Sequence, residues 1–84
     1  MNNIVMRRIE VTADYQPVSN VQLIASVTIS CLPTNGGTIY LRGDDGSDVP
    51  WVPGEWHVFK NVNLGEIVVK GTPGDVVTVV GGTW

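Results

Sequence analysis

The sequence predicts an all-β domain: a small antiparallel β-sandwich or barrel, jelly-roll-like, with no significant helix. Apolar and polar residues alternate over residues 21–32, which is the period of a half-buried strand in an antiparallel sheet. Clusters of Gly, Pro, Asn and Asp recur between short β-rich runs, as is typical of sandwiches and small barrels. Helical periodicity over three turns is not found anywhere in the chain.

Each β-rich run has its own pattern. In the first run, Val5, Ile9 and Val11 fall on one face with Arg7 between them, and a polar loop follows at residues 14–20. The remaining runs are separated by turn residues, with a second polar loop at residues 43–48. The predicted strands occupy residues 4–13, 21–32, 38–42, 49–52, 56–60, 64–70 and 76–80.

The turn residues predict how the strands connect. Asn35-Gly36 is a strong hairpin signal, because both residues accept positive φ angles. Pro53-Gly54 suits the centre of a type II turn. Pro73-Gly74 has the wrong twist for a two-residue hairpin, so it predicts either a wider loop or a crossing between sheets. Residues 61–63 are interpreted as a bend, and Gly65 as a possible bulge.

The length predicts one domain over residues 1–84, with residues 1–3 and 81–84 as terminal tails. A chain of 84 residues buries a small core. Its one cysteine, Cys31, ends the apolar row of the second long strand and cannot form an intramolecular disulfide. Charged residues make up 15 %, against about 25 % in typical domains. These features favour self-association.

Charge and hydropathy exclude several classes of partner. The net charge is −3 with five basic residues, which argues against binding to nucleic acid. An apolar run of 18 residues, which a membrane span requires, is not found. The first ten residues lack the apolar core of a signal peptide, so we expect synthesis in a reducing cytosol.

The candidate chemical groups do not form a catalytic constellation. His57 has neither Ser47 nor Cys31 at a spacing that indicates a nucleophile. The carboxylates Asp44, Asp45 and Asp48 lack the alternating spacing of an EF-hand loop and are interpreted as solvated turn residues. We therefore predict a protein that is not an enzyme and holds no metal or cofactor.

The tryptophans are the candidate binding residues. We expect one of Trp51, Trp56 and Trp84 in the core, and the others as interface anchors together with His57. A carbohydrate platform is the rival interpretation, because Trp faces stack on sugar rings. Such a platform would need polar neighbours such as Asp45, Asp48 or Glu55.

The end of the sequence carries a separate prediction. Residues 76–80 form an uncharged β-branched run, which must be covered by its own sheet or by a neighbouring chain. Gly81-Gly82 is interpreted as a flexible joint. Trp84 is then expected to pack against an adjacent protomer or a partner surface as an assembly anchor.

The second half of the chain carries a succession of motifs. A Pro-Gly turn leads into an aromatic strand at residues 53–59, followed by Val-Asn-Leu at 62–64, Ile-Val-Val-Lys-Gly at 67–71 and a Gly-Asp turn into a valine strand at 74–77. This succession, from residue 40 to 80, resembles small virion structural proteins of tailed bacteriophages. The resemblance covers roughly half of the chain, which is shorter than such proteins and has no obvious extended arm.

The resemblance implies a β-sandwich that decorates or cements a capsid, often as a homotrimer at threefold positions. Its partner would be the major capsid protein, and its location the virion, assembled in the host bacterial cytoplasm. The alternative is a tail or fibre module that binds a host glycan or another tail protein. No catalytic residue is implied by the resemblance.

Overall fold

The fold is a sandwich of two four-stranded antiparallel sheets, which confirms the predicted all-β class. The computed structural model describes residues 3–83. Sheet A has the order β1-β8-β3-β6, and sheet B has the order β2-β7-β4-β5. The strands are β1 (Ile4–Glu10), β2 (Gln16–Pro17), β3 (Ile24–Cys31), β4 (Ile39–Arg42), β5 (Asp48–Trp51), β6 (Trp56–Asn63), β7 (Val68–Lys70) and β8 (Val76–Gly82).

Side-chain alternation in the strands builds the core between the sheets. Alternate residues of β3, ending at Cys31, are buried, as the sequence predicted. Ile39 and Leu41 of β4 point inward as expected, and Tyr40 points outward. Each fully buried aliphatic side chain stabilises the fold by roughly 1.5–3 kcal/mol. The largest fully buried side chains are Ile29, Ile39, Leu64, Val11, Val69, Val77 and Val79.

Strand β8 lies in the middle of sheet A, between β1 and β3. This confirms that the valine run at residues 76–80 is covered by its own sheet. The predicted flexible joint at Gly81-Gly82 is wrong, because both glycines remain paired with β1 and β3. The ladder is extended further by Thr83, whose N–H donates to the Asn3 carbonyl at 3.0 Å.

The segment between β3 and β4 crosses from sheet A to sheet B, so the hairpin predicted at Asn35-Gly36 is wrong. The Asn35 side chain instead forms two hydrogen bonds with the backbone of Val76, as a neighbouring strand would. Its amide N–H donates to the Val76 carbonyl at 3.0 Å, and its Oδ1 accepts from the Val76 N–H at 2.9 Å. The buried Asp75 carboxylate accepts from the N–H groups of Gly36 and Gly37, each at 3.0 Å. These bonds fasten the crossing to the start of β8.

The single strand predicted over residues 64–70 is wrong. Leu64–Glu66 is a turn of 3₁₀ helix, and only Val68–Lys70 is a strand. The side-chain Oδ1 of Asn63 caps this turn by accepting from the Gly65 N–H at 3.0 Å, and it also accepts from the Leu23 N–H at 3.2 Å. The bend predicted at residues 61–63 is a bulge within β6, where Asn61 has φ of 52°.

The two Pro-Gly turns have different roles. Gly54 has φ of 85°, as a type II turn requires, and connects β5 of sheet B to β6 of sheet A. Gly74 has φ of 98° and lies in the crossing from β7 to β8, which confirms the second of the two predicted alternatives. Pro50 lies in the edge strand β5, as expected for a residue without an N–H.

Across residues 3–83, the structure contains no helix with the length and apolar character needed to cross a membrane.

Candidate docking surface

The outer surface of sheet A carries its charged residues, Arg8, Glu10 and Lys60, on the two edge strands. The pairing registers place Met6, Val80, Thr28 and Val58 in one row across its four strands. Exposure of Met6 is 69 %, that of Val58 is 55 % and that of Val80 is 47 %. Four adjacent strands span roughly 14 Å, so this row forms a flat apolar strip. Exposed apolar side chains that adjoin one another indicate an interaction surface.

A second row runs parallel to the first. It consists of Arg8, Thr78, Ser30 and Trp56, one residue from each strand. Trp56 is 60 % exposed and stands at the corner of the face, next to the Pro53-Gly54 turn. These two rows together are called the outer face below. Hydroxyl and apolar groups with a Trp at one corner resemble the composition of protein interfaces, whose centres are depleted of charge.

The sandwich is open between the edge strands β5 and β6. A groove of about 530 Å³ lies there. Most of its lining residues are apolar, and Arg42, Asp44 and Glu66 are the charged ones. The indole of Trp51 stacks on the Phe59 ring with centroids 6.2 Å apart and meets the His57 ring edge at 4.7 Å. The inward residues of β6 are therefore only partly covered by sheet B.

The predicted interface residues separate into two groups. Trp51 is 4 % exposed and is the tryptophan of the core, so its prediction as an interface residue is wrong. Trp56 and His57 are exposed neighbours at the start of β6, but their side chains lie on opposite faces of sheet A, with Trp56 on the outer face and His57 against the Trp51 ring. Trp84 lies outside the described residues, and its anchoring role stays a prediction.

His57 is paired with Glu55 rather than with a nucleophile. The His57 Nε2 atom lies 2.7 Å from a Glu55 carboxylate oxygen. The second oxygen accepts from the Val52 N–H at 3.0 Å. The bond to His57, with that from Val52, lowers the pKa of Glu55. The groove-lining residues within the described chain include no Ser, Thr or Cys.

The acidic loop makes local contacts instead of gathering its carboxylates. Asp45 accepts from the Ser47 N–H at 2.9 Å, and hydrogen bonding with the Ser47 side chain, followed by that with its N–H, lowers the pKa of Asp45. Asp48 accepts from the Tyr15 hydroxyl and lies 3.5 Å from the Lys70 ammonium. The Tyr15 bond is the main cause that lowers the pKa of Asp48. Within residues 3–83, no cluster of three His, Cys, Asp or Glu side chains could hold a metal ion.

Sheet B has a different outer surface. The Tyr15 ring lies between two cations, with the Arg42 guanidinium 4.5 Å and the Lys70 ammonium 4.7 Å from its centroid. Burial and the neighbouring Asp48 raise the pKa of Tyr15 to about 12. Charged and aromatic groups thus concentrate on sheet B, which leaves the outer face of sheet A as the apolar candidate for docking.

The thiol of Cys31 should be unreactive in the folded protein. Burial, followed by the charges of Glu55 and Asp75, raises its pKa from 9.0 to about 11. Because the thiolate is the nucleophile, labelling by Ellman's reagent at pH 8 should be at least a hundredfold slower than in urea. Fast labelling of the native protein would contradict this placement.

The free energy of unfolding should fall from pH 9 to pH 11, because the unfolded Cys31 thiol ionises there while the folded thiol stays protonated. The Cys31→Ala variant, which lacks the thiol, controls for the ionisation of Tyr15.

The sequence interpretation did not select Ile4, Met6, Val58 and Val80 as surface residues. A usable signal was present: Ile4 and Met6 occupy the face of the first strand that also carries Arg8. Apolar residues on the charged side of an alternating strand indicate a surface that another body covers.

Comparisons with family models, curated proteins and solved structures found no match to this chain.

Proposed function

We propose that this protein is a non-enzymatic virion structural protein, a decoration or cement protein that stabilises a bacteriophage head by bridging capsid subunits. Its partners are copies of itself, as a homotrimer, and the major capsid protein. The observation that supports this proposal is the flat outer face of sheet A, with Trp56 at one corner. The motif resemblance from residue 40 to 80 supplies the capsid as the partner.

The physical logic of such a protein is mass action. A protein that binds only the assembled shell shifts the equilibrium between free subunits and shell toward the shell. The stabilisation grows with the ratio of the protein's concentration to its Kd. The outer face suits this role, because docking it requires little desolvation of charge. Arg8 is the one charged member of its two rows, and it lies at the β1 edge.

The alternative function, a tail or fibre module that binds a host glycan, needs an exposed aromatic platform. Trp51 is buried beneath β6, so it is not available to stack on a sugar ring. Trp56 alone keeps its indole accessible in this part of the chain, with the nearby Glu55 carboxylate already engaged by His57. We therefore favour protein docking over sugar binding.

Substitution of Val80 by lysine should weaken capsid binding at least tenfold. Val80 lies in the central strand, and its side chain is 47 % exposed. The ammonium would be desolvated at a docked face, whereas in the free protein it stays in water. Binding is measured by co-sedimentation of purified protein with virions of the encoding phage from which this gene has been deleted.

Val21→Lys is the matched control, because Val21 is 66 % exposed in a loop away from the outer face. It should bind as the unmodified protein does. Equal binding by Val80→Lys would show that the outer face does not contact the capsid. Failure of the unmodified protein to co-sediment, together with its absence from wild-type virions by mass spectrometry, would refute the decoration function.

A further inference from the structure

The edges of the two sheets differ in how they are protected. Sheet B ends in β2, which has two residues, and in β5, which contains Pro50. Both features discourage pairing with another strand. Sheet A ends in β1, with seven residues, and β6, with eight, and neither contains proline. Since the bulge at Asn61 lies in the second half of β6, the edge segments able to accept a further strand are β1 and the first half of β6.

Hydrogen bonds at both ends of β1 show which of its backbone groups are free. Thr83 donates to the Asn3 carbonyl, and Val11 donates to the Asp75 carbonyl at 2.9 Å. In an antiparallel pair the bonded residues alternate, so the odd-numbered residues of β1 bond to β8. The N–H and C=O groups of Ile4, Met6 and Arg8 consequently point away from β8, toward the open edge.

The same reasoning applies to β6. The Cys31 N–H donates to the Glu55 carbonyl at 2.8 Å, and Ile29 pairs with His57. Odd-numbered residues at the start of β6 therefore bond to β3, and the backbone groups of Trp56 and Val58 point outward. The side chains of these two residues, like those of Ile4 and Met6, lie on the outer face.

The two edges are complementary in direction. Each neighbouring pair in sheet A is antiparallel, so β1 and β6 run in opposite directions at its two ends. When a second copy is placed beside the first with the same face outward, β1 of one copy meets β6 of the next as an antiparallel pair. Outward backbone groups then face one another, and the outer faces join into one surface.

We propose that copies of this chain associate head to tail, with β1 of one copy paired to β6 of the next, so that sheet A continues across the boundary. This proposal rests on the self-association in the proposed function and identifies its interface. A repeated head-to-tail contact closes into a ring when its rotation permits, which is the geometry that a trimer needs.

The contacts favour one register, in which Met6 lies opposite Val58 of the next copy. Arg8 then lies opposite Trp56, where a guanidinium over an indole face is attractive. Ile4 falls opposite the aliphatic stem of Lys60. On the inner side, Arg7 comes opposite His57 and diagonal to Glu55, which already binds His57, next to the groove whose lining includes His57 and Phe59. The neighbouring copy thus covers the open side of the sandwich.

Symmetric pairing is less favourable. Two β1 strands centred on Met6 would place the Arg7 side chains of both copies diagonally across from each other, and like charges across a ladder are destabilising. Such a pair would also leave the groove beside β6 uncovered. Head-to-tail pairing instead brings Arg7 near Glu55, the residue that precedes β6.

Cysteine cross-linking tests the proposed pair directly. Residues opposite each other in a hydrogen-bonded antiparallel pair have Cα atoms about 5.5 Å apart, within the range of a disulfide. An equal mixture of the Met6→Cys and Val58→Cys variants, oxidised with copper phenanthroline, should give a covalent dimer on non-reducing gels. Native Cys31 is buried and should not contribute.

The control mixtures distinguish head-to-tail pairing from random collision and from symmetric pairing. A mixture of Met6→Cys with Val21→Cys should yield at least tenfold less dimer. Dimer from Met6→Cys alone, or from Val58→Cys alone, at the level of the mixture would show symmetric pairing and overturn the proposal. Absence of cross-linked dimer would overturn it as well.

A backbone substitution provides the second test. The Val58 N–H points away from β3, so Val58→Pro removes a donor from the open edge and leaves the ladder to β3 intact. By light scattering, the mass should fall from a multiple of the 9.1 kDa chain to that of the monomer. Val58→Thr keeps the N–H and the branched side chain and should remain associated. Circular dichroism verifies that both variants fold.

The outcomes separate this interface from the capsid function. An unmodified protein that is monomeric at 100 µM overturns head-to-tail pairing, while co-sedimentation with deletion virions still decides whether it binds a capsid. An unchanged mass for folded Val58→Pro would also overturn the pairing. If Val58→Pro does not fold, the cross-linking result decides.

Discussion

Replacement of Gly81 by alanine should remove a large part of the stability of the folded protein. Gly81 pairs with Val5 on one side and with Val27 on the other, in the central strand of sheet A. A Cβ atom there would lie 2.0 Å from the Ser26 carbonyl oxygen and 2.7 Å from the Val27 Cα atom. Both obstacles are backbone, so the strands themselves would have to separate. We expect a loss of about 3 kcal/mol or more, a large part of the stability of a domain this size.

Urea denaturation followed by tryptophan fluorescence measures this loss. Gly36→Ala is the matched control, because a Cβ at Gly36 meets its nearest atom, an Asp75 oxygen, at 3.9 Å. It should change the free energy of unfolding by less than about 0.5 kcal/mol. If Gly81→Ala were as stable as Gly36→Ala, the close approach of β8 to β3 would be wrong.

Replacement of Asp75 by alanine should cost about 3 kcal/mol. The Asp75 side chain is buried and accepts from the N–H groups of Gly36 and Gly37, each at 3.0 Å. Without the carboxylate, both donors lose a charged acceptor, and hydrogen bonds to charged groups contribute roughly 1.5–3 kcal/mol each. The crossing between β3 and β4 would then be held to β8 mainly by Asn35.

The comparison variants for this position are Asp75→Asn and Asp44→Ala. Asparagine keeps one acceptor oxygen and should fall between the unmodified protein and Asp75→Ala in thermal denaturation. Asp44 is exposed, and its removal should be nearly neutral. Equal melting temperatures for Asp75→Ala and Asp44→Ala would contradict the proposed clamp on the crossing.

Local sequence patterns were reliable where the physics is local. The alternation that ends at Cys31 predicted the buried face of β3, because the two faces of a strand differ at every step. Pro50 predicted an edge strand, since a proline N cannot donate to a neighbour. The valine run at residues 76–80 predicted a covered strand, and it lies in the centre of sheet A.

The errors arose where a distant partner replaced a local one. Asn35-Gly36 has the composition of a hairpin turn, but the Asn35 side chain bonds to Val76 and the chain crosses to the other sheet. Gly81-Gly82 has the composition of a flexible joint, but the absence of a Cβ at Gly81 permits close approach of β3. The capping contacts of Asn63 formed a 3₁₀ turn where a strand was predicted.

For the candidate site, alternation in the sequence identified which side chains share a face of a strand, and the tryptophans and low charge predicted an interface. The strand order could be known only from the folded structure. This order places β1 and β6 at the open edges, and the packing of the two sheets buries Trp51 and leaves Trp56 exposed. Side-chain alternation is a property of one strand with period two, whereas an edge is defined by which strands pair, and those contacts join residues far apart in the chain.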